Sequence, residues 1–334
     1  MTQNPRAVSI LSGFLGSGKT TLLRRYLREC GGPDIAVVIN EYGAVGVDHY
    51  LVRMVEERSV LLQGGCVCCS RREDLVGTLR ELLDLEQSGQ LAPIRQLVIE
   101  TSGLADPVPI LFTLTTDPVL RHHFVASSVV VTLDGVNAAA QISRQPEVRK
   151  QISIADRVVI TKPDLVPREQ ISRCRMQVRQ LNPAAGIVVS SLGDRFDALA
   201  PQDRPDHVRG LSMEGDSDLP PNPHPEVRSG ALIFDASLDW ACFSVWLSML
   251  LQARGPDVLR IKGLLDIGDA GPVVLNVAQH VVHPPEHLPV WPPGERRSHL
   301  TFITRGIGPD RIARSLETFQ RAGGQTSPRL KVIA

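Results

Sequence analysis

Two short motifs near the amino terminus contain residues that could do chemistry. Residues 13–20 read GFLGSGKT, which matches the GxxxxGK[ST] pattern of a phosphate-binding loop. Residues 66–69 read CVCC, so the thiols of Cys66, Cys68 and Cys69 lie within four residues of one another. The first motif predicts nucleotide binding, and the second predicts binding of a soft metal ion. Together they indicate a nucleotide-driven protein that handles a metal ion.

The phosphate loop provides both backbone and side-chain groups for a nucleotide. Its glycines let backbone N–H groups wrap the phosphates, and the start of the following helix favours negative charge. Lys19 would neutralise charge on the β- and γ-phosphates, and the Thr20 hydroxyl would ligate Mg²⁺. A chance glycine-rich turn is the alternative, which the predicted strand before the motif and helix after it disfavour. The candidate nucleotide-binding residues are Gly13, Leu15, Gly16, Ser17, Gly18, Lys19, Thr20 and Thr21.

A second acidic element is needed near the Mg²⁺, and Glu100 is the candidate. It ends the apolar run 97–99, and the carboxyl end of a strand is where α/β proteins bind ligands. Its carboxylate would contact Mg²⁺ through water, so we assign Lys19, Thr20 and Glu100 to catalysis. Gly103 could offer its N–H to the γ-phosphate and move when that phosphate leaves. An ordinary strand-ending glutamate is the alternative.

Residues 161–164, TKPD, are the candidate base-recognition element. They resemble the Asn-Lys-x-Asp element of GTPases, in which the Asp carboxylate binds guanine and the Lys stem packs on the base. Lys162 and Asp164 match that pattern, and Thr161 stands where Asn is usual. The element therefore predicts a preference for guanine, and the Thr161 departure leaves the strictness of that preference open.

The three clustered thiols predict a metal site with an open position. Gly64 and Gly65 permit a sharp bend before them. Thiolates select soft or borderline ions, chiefly Zn²⁺ and Cu(I). Three ligands leave the fourth tetrahedral position to water, another side chain or a partner protein, which suits transfer better than storage. A redox dithiol and inert thiols are the alternatives, and a redox pair is more often CxxC in a thioredoxin-like setting. The isolated thiols read as core residues: Cys30, Cys174 and Cys242.

The elements that must position these residues alternate between strands and helices. Continuously apolar strands are typical of parallel sheets that are covered on both faces. We therefore predict an α/β fold, a mostly parallel sheet of the P-loop NTPase type with helices on both faces. The predicted strands are 7–12, 35–40, 96–101, 128–134, 157–162 and 187–191, and the predicted helices are 20–30, 72–88 and 168–181.

A second, smaller α+β domain is predicted after a linker rich in Pro and Asp. The first domain covers residues 1–193, the linker 194–228, the second domain 229–325 and a tail 326–334. Within the second domain we expect strands at 231–235, 258–267, 273–282 and 300–305, and helices at 240–253 and 309–322.

Composition and apolar patterning argue against nucleic-acid binding and membrane association. Lys plus Arg and Asp plus Glu each number 36, so the formal charge is zero, which argues against nucleic-acid binding. No apolar run reaches the roughly 18 residues that a membrane-spanning helix needs. The short polar start of the chain does not look like a secretory signal, so we expect no membrane association and a cytoplasmic location.

The ordered combination of motifs resembles one family, the CobW-like metal-chaperone GTPases, which include the zinc chaperones. The resemblance covers almost the whole chain. The matching stretches are GFLGSGKTTLL (13–23), NEYGAVGVD (40–48), GGCVCC (64–69), ETSGLADP (100–107), QISIADRVVITKPDL (151–165), RIKGLLDI (260–267) and WPPGERRSHLTFI (291–303).

This resemblance implies a P-loop GTPase domain followed by a CobW-type C-terminal domain. It implies binding of GTP and Mg²⁺, slow hydrolysis, metal binding at the three cysteines, and delivery of zinc or cobalt to a client metalloprotein. By the same resemblance, Glu41 and Asp48 lie in a switch-like segment between nucleotide and metal. The chain has no His-rich loop, which leaves the identity of the metal open. A homodimer also stays open.

Two other functions remain as alternatives. A nucleotide-dependent metal sensor or scaffold would bind a partner without delivering metal, with the cysteines reporting metal status. An ATP-using kinase would leave the thiol cluster unexplained, and the chain has no acceptor-site signature.

Overall fold

The computed structural model describes residues 5–32, 34–39, 72–190, 199–200, 226–268, 271–292, 297–322 and 330–333. The chain divides into two compact units. Unit 1 comprises Met1–Arg175 and Gly186–Gln202, and unit 2 comprises Met176–Ala185 and Asp203–Ala334. Each unit is built on its own sheet, of six strands in unit 1 and seven in unit 2.

Unit 1 contains a parallel sheet with the strand order β2-β3-β1-β4-β5-β6. Neighbouring side chains on β1, such as Ile10 and Leu11, are both fully buried, so both faces of the sheet are covered. The predicted fold class is confirmed, and each of the six predicted strands is present. The strands are β1 Arg6–Gly13, β2 Ile35–Ile39, β3 Gln96–Glu100, β4 Phe124–Asp134, β5 Arg157–Thr161 and β6 Gly186–Val189.

The first helix of unit 1 packs on the centre of this sheet. Leu22, Leu23 and Tyr26 lie at helical spacing and bury their side chains in one cluster with Leu11 and Val98. Burying a side chain of this size stabilises the fold by about 1.5–3 kcal/mol. The helices are α1 Lys19–Cys30, α2 Arg72–Gln87, α3 Val108–Thr116, α4 Leu120–His123, α5 Ala138–Arg144, α6 Pro146–Ile154 and α7 Arg168–Leu181.

Helices α3 to α6 were not expected from the sequence. Each has nine residues or fewer, so none contains enough turns to give a clear apolar period. The predicted helices α1, α2 and α7 are confirmed to within one residue at each end.

Unit 2 contains an antiparallel sheet with helices α8 and α9. Its strand order is β10-β9-β8-β12-β7-β13, and β11 also pairs with β9. Phe243 and Trp246 of α8 and Leu316 of α9 pack on Ile261 and Phe302 of the sheet. The elements are β7 Val227–Phe234, α8 Trp240–Arg254, β8 Val258–Leu265, β9 Val273–Ala278, β10 Val281–Val282, β11 Glu286–His287, β12 Ser298–Arg305, α9 Pro309–Ala322 and β13 Leu330–Ile333.

Two details of unit 2 differ from the sequence prediction. The single strand expected at 273–282 is two strands, because the chain turns at Gln279 (φ 51°) and β10 pairs back on β9. Residues 330–333, expected in a tail, form β13 and pair with β7. Pairing with a distant strand is a long-range property that a local pattern does not record.

The domain bounds predicted from the sequence remain a prediction. Strand β7 begins at Val227, and the part of the predicted linker at 201–225 lies outside the described residues. No helix among the described residues is long and apolar enough to cross a membrane.

Candidate nucleotide-binding site

The phosphate loop begins where β1 ends, at Gly13. This residue has φ 140°, and a Cβ atom there would lie 2.5 Å from the carbonyl oxygen of Thr132 and 2.8 Å from Ser17 Oγ. Only glycine fits both the backbone angle and the space. The loop can therefore turn directly over the end of the neighbouring strand β4.

Lys19 and the start of α1 lie on the inner side of this loop. Lys19 is 9% exposed, and its ammonium donates hydrogen bonds to the carbonyls of Gly13 (2.9 Å) and Phe14 (3.2 Å). Gly18 precedes the helix with φ 91°, and no side chain caps the helix. The first N–H groups of α1 therefore face the loop with a cation beside them, an arrangement that favours a phosphate.

The remaining residues of the loop divide into buried and open positions. Ser17 Oγ lies 2.6 Å from Thr132 Oγ1, and both side chains are buried, so this contact fixes the loop to β4. Leu15, Gly16 and Thr21 are exposed.

Thr20 and Glu100, the two residues predicted to hold Mg²⁺, are in contact beside the phosphate loop. The Thr20 hydroxyl donates to Glu100 Oε1 at 2.6 Å, and Glu100 is only 4% exposed at the end of β3. A hydroxyl and a carboxylate are hard oxygen donors, the type that Mg²⁺ prefers. The donor set therefore fits a magnesium ion at this position.

The segment after Glu100 lies directly against the phosphate loop. A Cβ atom on Gly103 would lie 2.6 Å from the backbone nitrogen of Leu15, so glycine is required for this close approach. The buried Gln151 side chain of α6 donates to the carbonyls of Gly103 (3.3 Å) and Ala105 (3.0 Å). Gln151 thus anchors this segment, and no local pattern pointed to that role.

The candidate base-recognition turn, residues 161–164, makes two hydrogen bonds to the phosphate loop. The Thr161 hydroxyl donates to the Ser17 carbonyl at 2.8 Å. The Lys162 ammonium donates to the Gly16 carbonyl at 2.9 Å. Asp164 is exposed on the 3₁₀ turn Pro163–Leu165 that follows. Thr161, which departs from the usual Asn, therefore still bonds the turn to the loop.

Asp134, at the carboxyl end of β4, was missed as a site residue. It is 2% exposed, and its carboxylate accepts from Lys162 Nζ (2.8 Å), Asn137 Nδ2 (2.9 Å) and the Val136 amide (2.9 Å). Burial alone raises the pKa of this carboxyl, but these hydrogen bonds outweigh burial and hold the pKa below its ordinary value. Its position at the end of a predicted strand was the signal available in the sequence.

The isolated cysteines in the described part of the chain read as structural. Cys174 is 2% exposed, and burial together with the nearby Asp134 charge raises the pKa of its thiol. Cys30 and Cys242 are partly buried. A raised pKa keeps Cys174 protonated, which suits a core residue rather than a nucleophile.

The predicted metal ligands and switch residues lie outside the described residues. These are Cys66, Cys68, Cys69, Glu41 and Asp48. Within the described ranges, no group of three His, Cys, Asp or Glu side chains could hold a metal ion.

Two family models match the chain. Residues 7–189 match the CobW/HypB/UreG nucleotide-binding domain. Residues 227–320 match the C-terminal domain of the cobalamin synthesis protein CobW. The first match contains the phosphate loop, the Glu100–Gly103 segment and the base-recognition turn.

Three named proteins are similar to this chain in sequence. The zinc chaperone YjiA of Escherichia coli is 31% identical over 312 residues, which cover 91% of this chain and 95% of that protein. The zinc chaperone CobW of Pseudomonas aeruginosa is 29% identical over 300 residues, 78% of this chain and 76% of that protein. The zinc-regulated GTPase metalloprotein activator 1 of Schizosaccharomyces pombe is 33% identical, but over 60% of this chain and 49% of that protein.

Solved structures of YjiA share the overall fold. The Zn(II)-bound YjiA GTPase from E. coli has a TM-score of 0.67 at 27% identity and covers 95% of this chain and 99% of its own. A Zn(II)-bound triple mutant of YjiA GTPase has a TM-score of 0.69 at 28% identity, and the match covers 97% of this chain and 100% of that one.

Proposed function

Because the chain belongs to the CobW/HypB/UreG family, we propose that it binds zinc at Cys66, Cys68 and Cys69 and transfers it to a client metalloprotein under the control of GTP. The protein is a metallochaperone GTPase of the P-loop type. The cysteine ligands, the transfer step and cobalt as a second cargo are part of the proposal.

The proposal that the protein binds and hydrolyses GTP is supported by the 2.6 Å hydrogen bond between Thr20 and Glu100, next to Lys19 and Gly103. Thr20 would hold Mg²⁺ directly and Glu100 would hold it through water. Bound Mg²⁺ neutralises charge on the β- and γ-phosphates. Lys19 adds a second positive charge, and the N–H groups at the start of α1 orient the phosphates. Among the described residues we assign no arginine finger, so we expect slow turnover without a partner.

The base-recognition turn supports guanine as the base. Asp164 is exposed and can accept hydrogen bonds from the N1 and N2 groups of guanine. Lys162 lies beside the loop, bonded to the Gly16 carbonyl at 2.9 Å. Thr161 bonds to the Ser17 carbonyl at 2.8 Å, so the turn keeps its tie to the loop without the usual Asn.

The register of the sheet supports coupling between nucleotide and metal. Ile39, the last residue of β2, is paired with Glu100, the last residue of β3. The last described residue of β2 therefore lies beside the Mg²⁺ candidate, and Glu41, Asp48 and the three cysteines follow it in the sequence. A change at Glu100 between nucleotide states could bias that segment, which is the physical requirement for gated release.

The gating test compares zinc affinity in two nucleotide states. A chromogenic zinc chelator competes with the protein loaded with GDP or with a non-hydrolysable GTP analogue. We expect a difference of about 5- to 150-fold, the usual range for coupled sites. Lys19→Ala should abolish the difference, because it prevents nucleotide binding. The same zinc affinity in both states would overturn the gating proposal.

The ligand assignment needs a matched pair of cysteine variants. The triple variant with Cys66, Cys68 and Cys69 changed to Ser should lose tight zinc binding and keep GTP turnover. The double variant Cys30→Ser and Cys242→Ser should bind zinc as the wild type does. Retained zinc binding in the triple variant would disprove the assignment. Repeating both titrations with Co²⁺ tests the second cargo.

A further inference from the structure

The contact between Asp134 and Lys162 has no part in the function proposed above. The Lys162 ammonium lies between two oxygen atoms, 2.8 Å from Asp134 Oδ2 and 2.9 Å from the Gly16 carbonyl. It thereby joins the end of β4, the base-recognition turn and the phosphate loop.

Asp134 itself is held rigidly. Its side chain is 3% exposed, and its oxygens also accept from the Val136 amide and the Asn137 amide group, each at 2.9 Å. A carboxylate fixed by neighbours on its own loop cannot follow a moving partner. Asp134 is therefore a fixed point to which the lysine is bound.

Lys162 needs such a fixed point. Its side chain is 36% exposed, and a lysine stem has many rotamers of similar energy. Its backbone is in the left-handed region (φ 55°), which is uncommon for a residue with a side chain. Charge-assisted hydrogen bonds at both oxygens select one direction for the stem and one conformation for the turn that carries Asp164.

We propose that Asp134 is a positioning residue for base recognition. It holds Lys162 against the phosphate loop so that the lysine stem forms one wall of the base site and Asp164, two residues on, meets the edge of the base. This inference rests on the proposed guanine recognition by the turn. A residue that merely stabilised β4 would affect phosphate and base binding alike.

The test separates base binding from phosphate binding. Dissociation constants are measured for GTP, ATP and inorganic tripolyphosphate, which presents the phosphates without a base. We expect Asp134→Asn to weaken GTP binding about tenfold or more, because hydrogen bonds to charged groups are strong. Tripolyphosphate affinity should stay unchanged, and the preference for GTP over ATP should fall.

A double-mutant cycle tests whether Asp134 acts through Lys162. Lys162→Met alone should weaken GTP binding at least as much, and adding Asp134→Asn to it should cost nothing further. Asn137 is exposed and donates to the Asp134 carboxylate, so Asn137→Ala should hold that carboxylate less firmly. We expect it to lower the ratio of GTP affinity to tripolyphosphate affinity, but by less than Asp134→Asn does. This variant keeps the test valid if Asp134→Asn does not fold.

Asp156→Asn is the matched control for a buried carboxylate. Asp156 is 6% exposed, lies next to the start of β5 and accepts a hydrogen bond from the Val129 amide at 2.9 Å. Its variant should therefore leave the ratio of GTP affinity to tripolyphosphate affinity unchanged. Equal losses of affinity for GTP and tripolyphosphate, or additive losses in the double-mutant cycle, would overturn the positioning role of Asp134. Guanine recognition by the turn would not be affected by that result. A wild type that binds GTP no tighter than ATP would overturn guanine recognition, and this inference with it.

Discussion

Two helices of this protein begin in opposite ways. Helix α1 follows Gly18, and no side chain caps it. Helix α8 follows Asp239, whose Oδ1 accepts a hydrogen bond from the Cys242 amide at 2.8 Å. In unit 2 the chain satisfies its own helix terminus, whereas in unit 1 a glycine leaves the terminus open to an anion. Four other helices in the described part of unit 1 also have no side-chain cap at the N-cap position, so what distinguishes α1 is the combination of Gly18 with the Lys19 ammonium beside the open terminus.

The two sheets extend this contrast. In the parallel sheet of unit 1, the ends of β1, β3, β4 and β5 lie on one edge, so Gly13, Glu100, Asp134 and Thr161 come together. In the antiparallel sheet of unit 2, neighbouring strands end at opposite edges. A parallel sheet concentrates strand ends, and with them the chemistry, at one edge.

The largest expected effect comes from giving α1 a cap like that of α8. Gly18→Asp places a carboxylate where the phosphates should bind, and like-charge contact of this kind costs several kcal/mol. We expect GTP affinity to fall about a thousandfold, measured by equilibrium titration. Gly18→Ala has the same backbone strain without the charge and should lose much less. Equal losses in the two variants would mean that backbone strain, rather than charge, explains the effect.

The second prediction compares two glycines with positive φ. Gly13→Ala should lower the free energy of unfolding of unit 1 by about 3 kcal/mol, because strain adds to overlap with the Thr132 carbonyl. Gly268 in unit 2 has φ 88° and open space around it, so Gly268→Ala should cost only about 1 kcal/mol.

Urea unfolding, monitored by circular dichroism and by tryptophan fluorescence, distinguishes the unfolding of unit 1 from that of unit 2. All three tryptophans lie in residues 240–291, so fluorescence reports unit 2. A Gly268→Ala cost equal to that of Gly13→Ala would show that the close approach to β4 contributes nothing.

The third prediction concerns two buried threonine hydroxyls. Thr161→Val removes the bond to the Ser17 carbonyl and should weaken GTP binding about fivefold, or about 1 kcal/mol. Thr304→Val removes a bond to the Ile307 carbonyl (2.6 Å) and should destabilise unit 2 by a similar amount without changing GTP affinity. Unchanged GTP affinity in Thr161→Val would contradict the role given to that hydroxyl.

The smallest effect on GTP binding is expected at the cap of α8. Asp239→Ala should lower the free energy of unfolding of unit 2 by about 1 kcal/mol, and Asp239→Asn by less, since Asn also caps helices well. Tryptophan fluorescence during urea unfolding measures this change. GTP affinity should stay the same in both variants. A drop in GTP affinity would break the distinction between the two helix termini.

Local motifs account for what could be predicted at the site. Thr20 and Glu100 were named as candidates from local signals, because Thr20 closes the phosphate-loop motif and Glu100 ends an apolar run, but the direct hydrogen bond between them was not predicted. Gln151 was missed, because its bonds to Gly103 and Ala105 cross from one helix to a separate loop. The short helices α3 to α6 were missed for a different reason, since too few turns leave no readable period.

The sequence by itself predicted the phosphate loop, the base-recognition element at residues 161–164 and the placement of candidate site residues at strand ends, because each depends on neighbouring residues and simple spacing. Only the tertiary structure decided how these parts bond to one another. Thr161 reaches the Ser17 carbonyl across 144 residues, and Lys162 reaches the Gly16 carbonyl across 146. Asp134 became a site residue in the same way. Such contacts exist only when parallel strands align their ends, and no local pattern encodes that alignment.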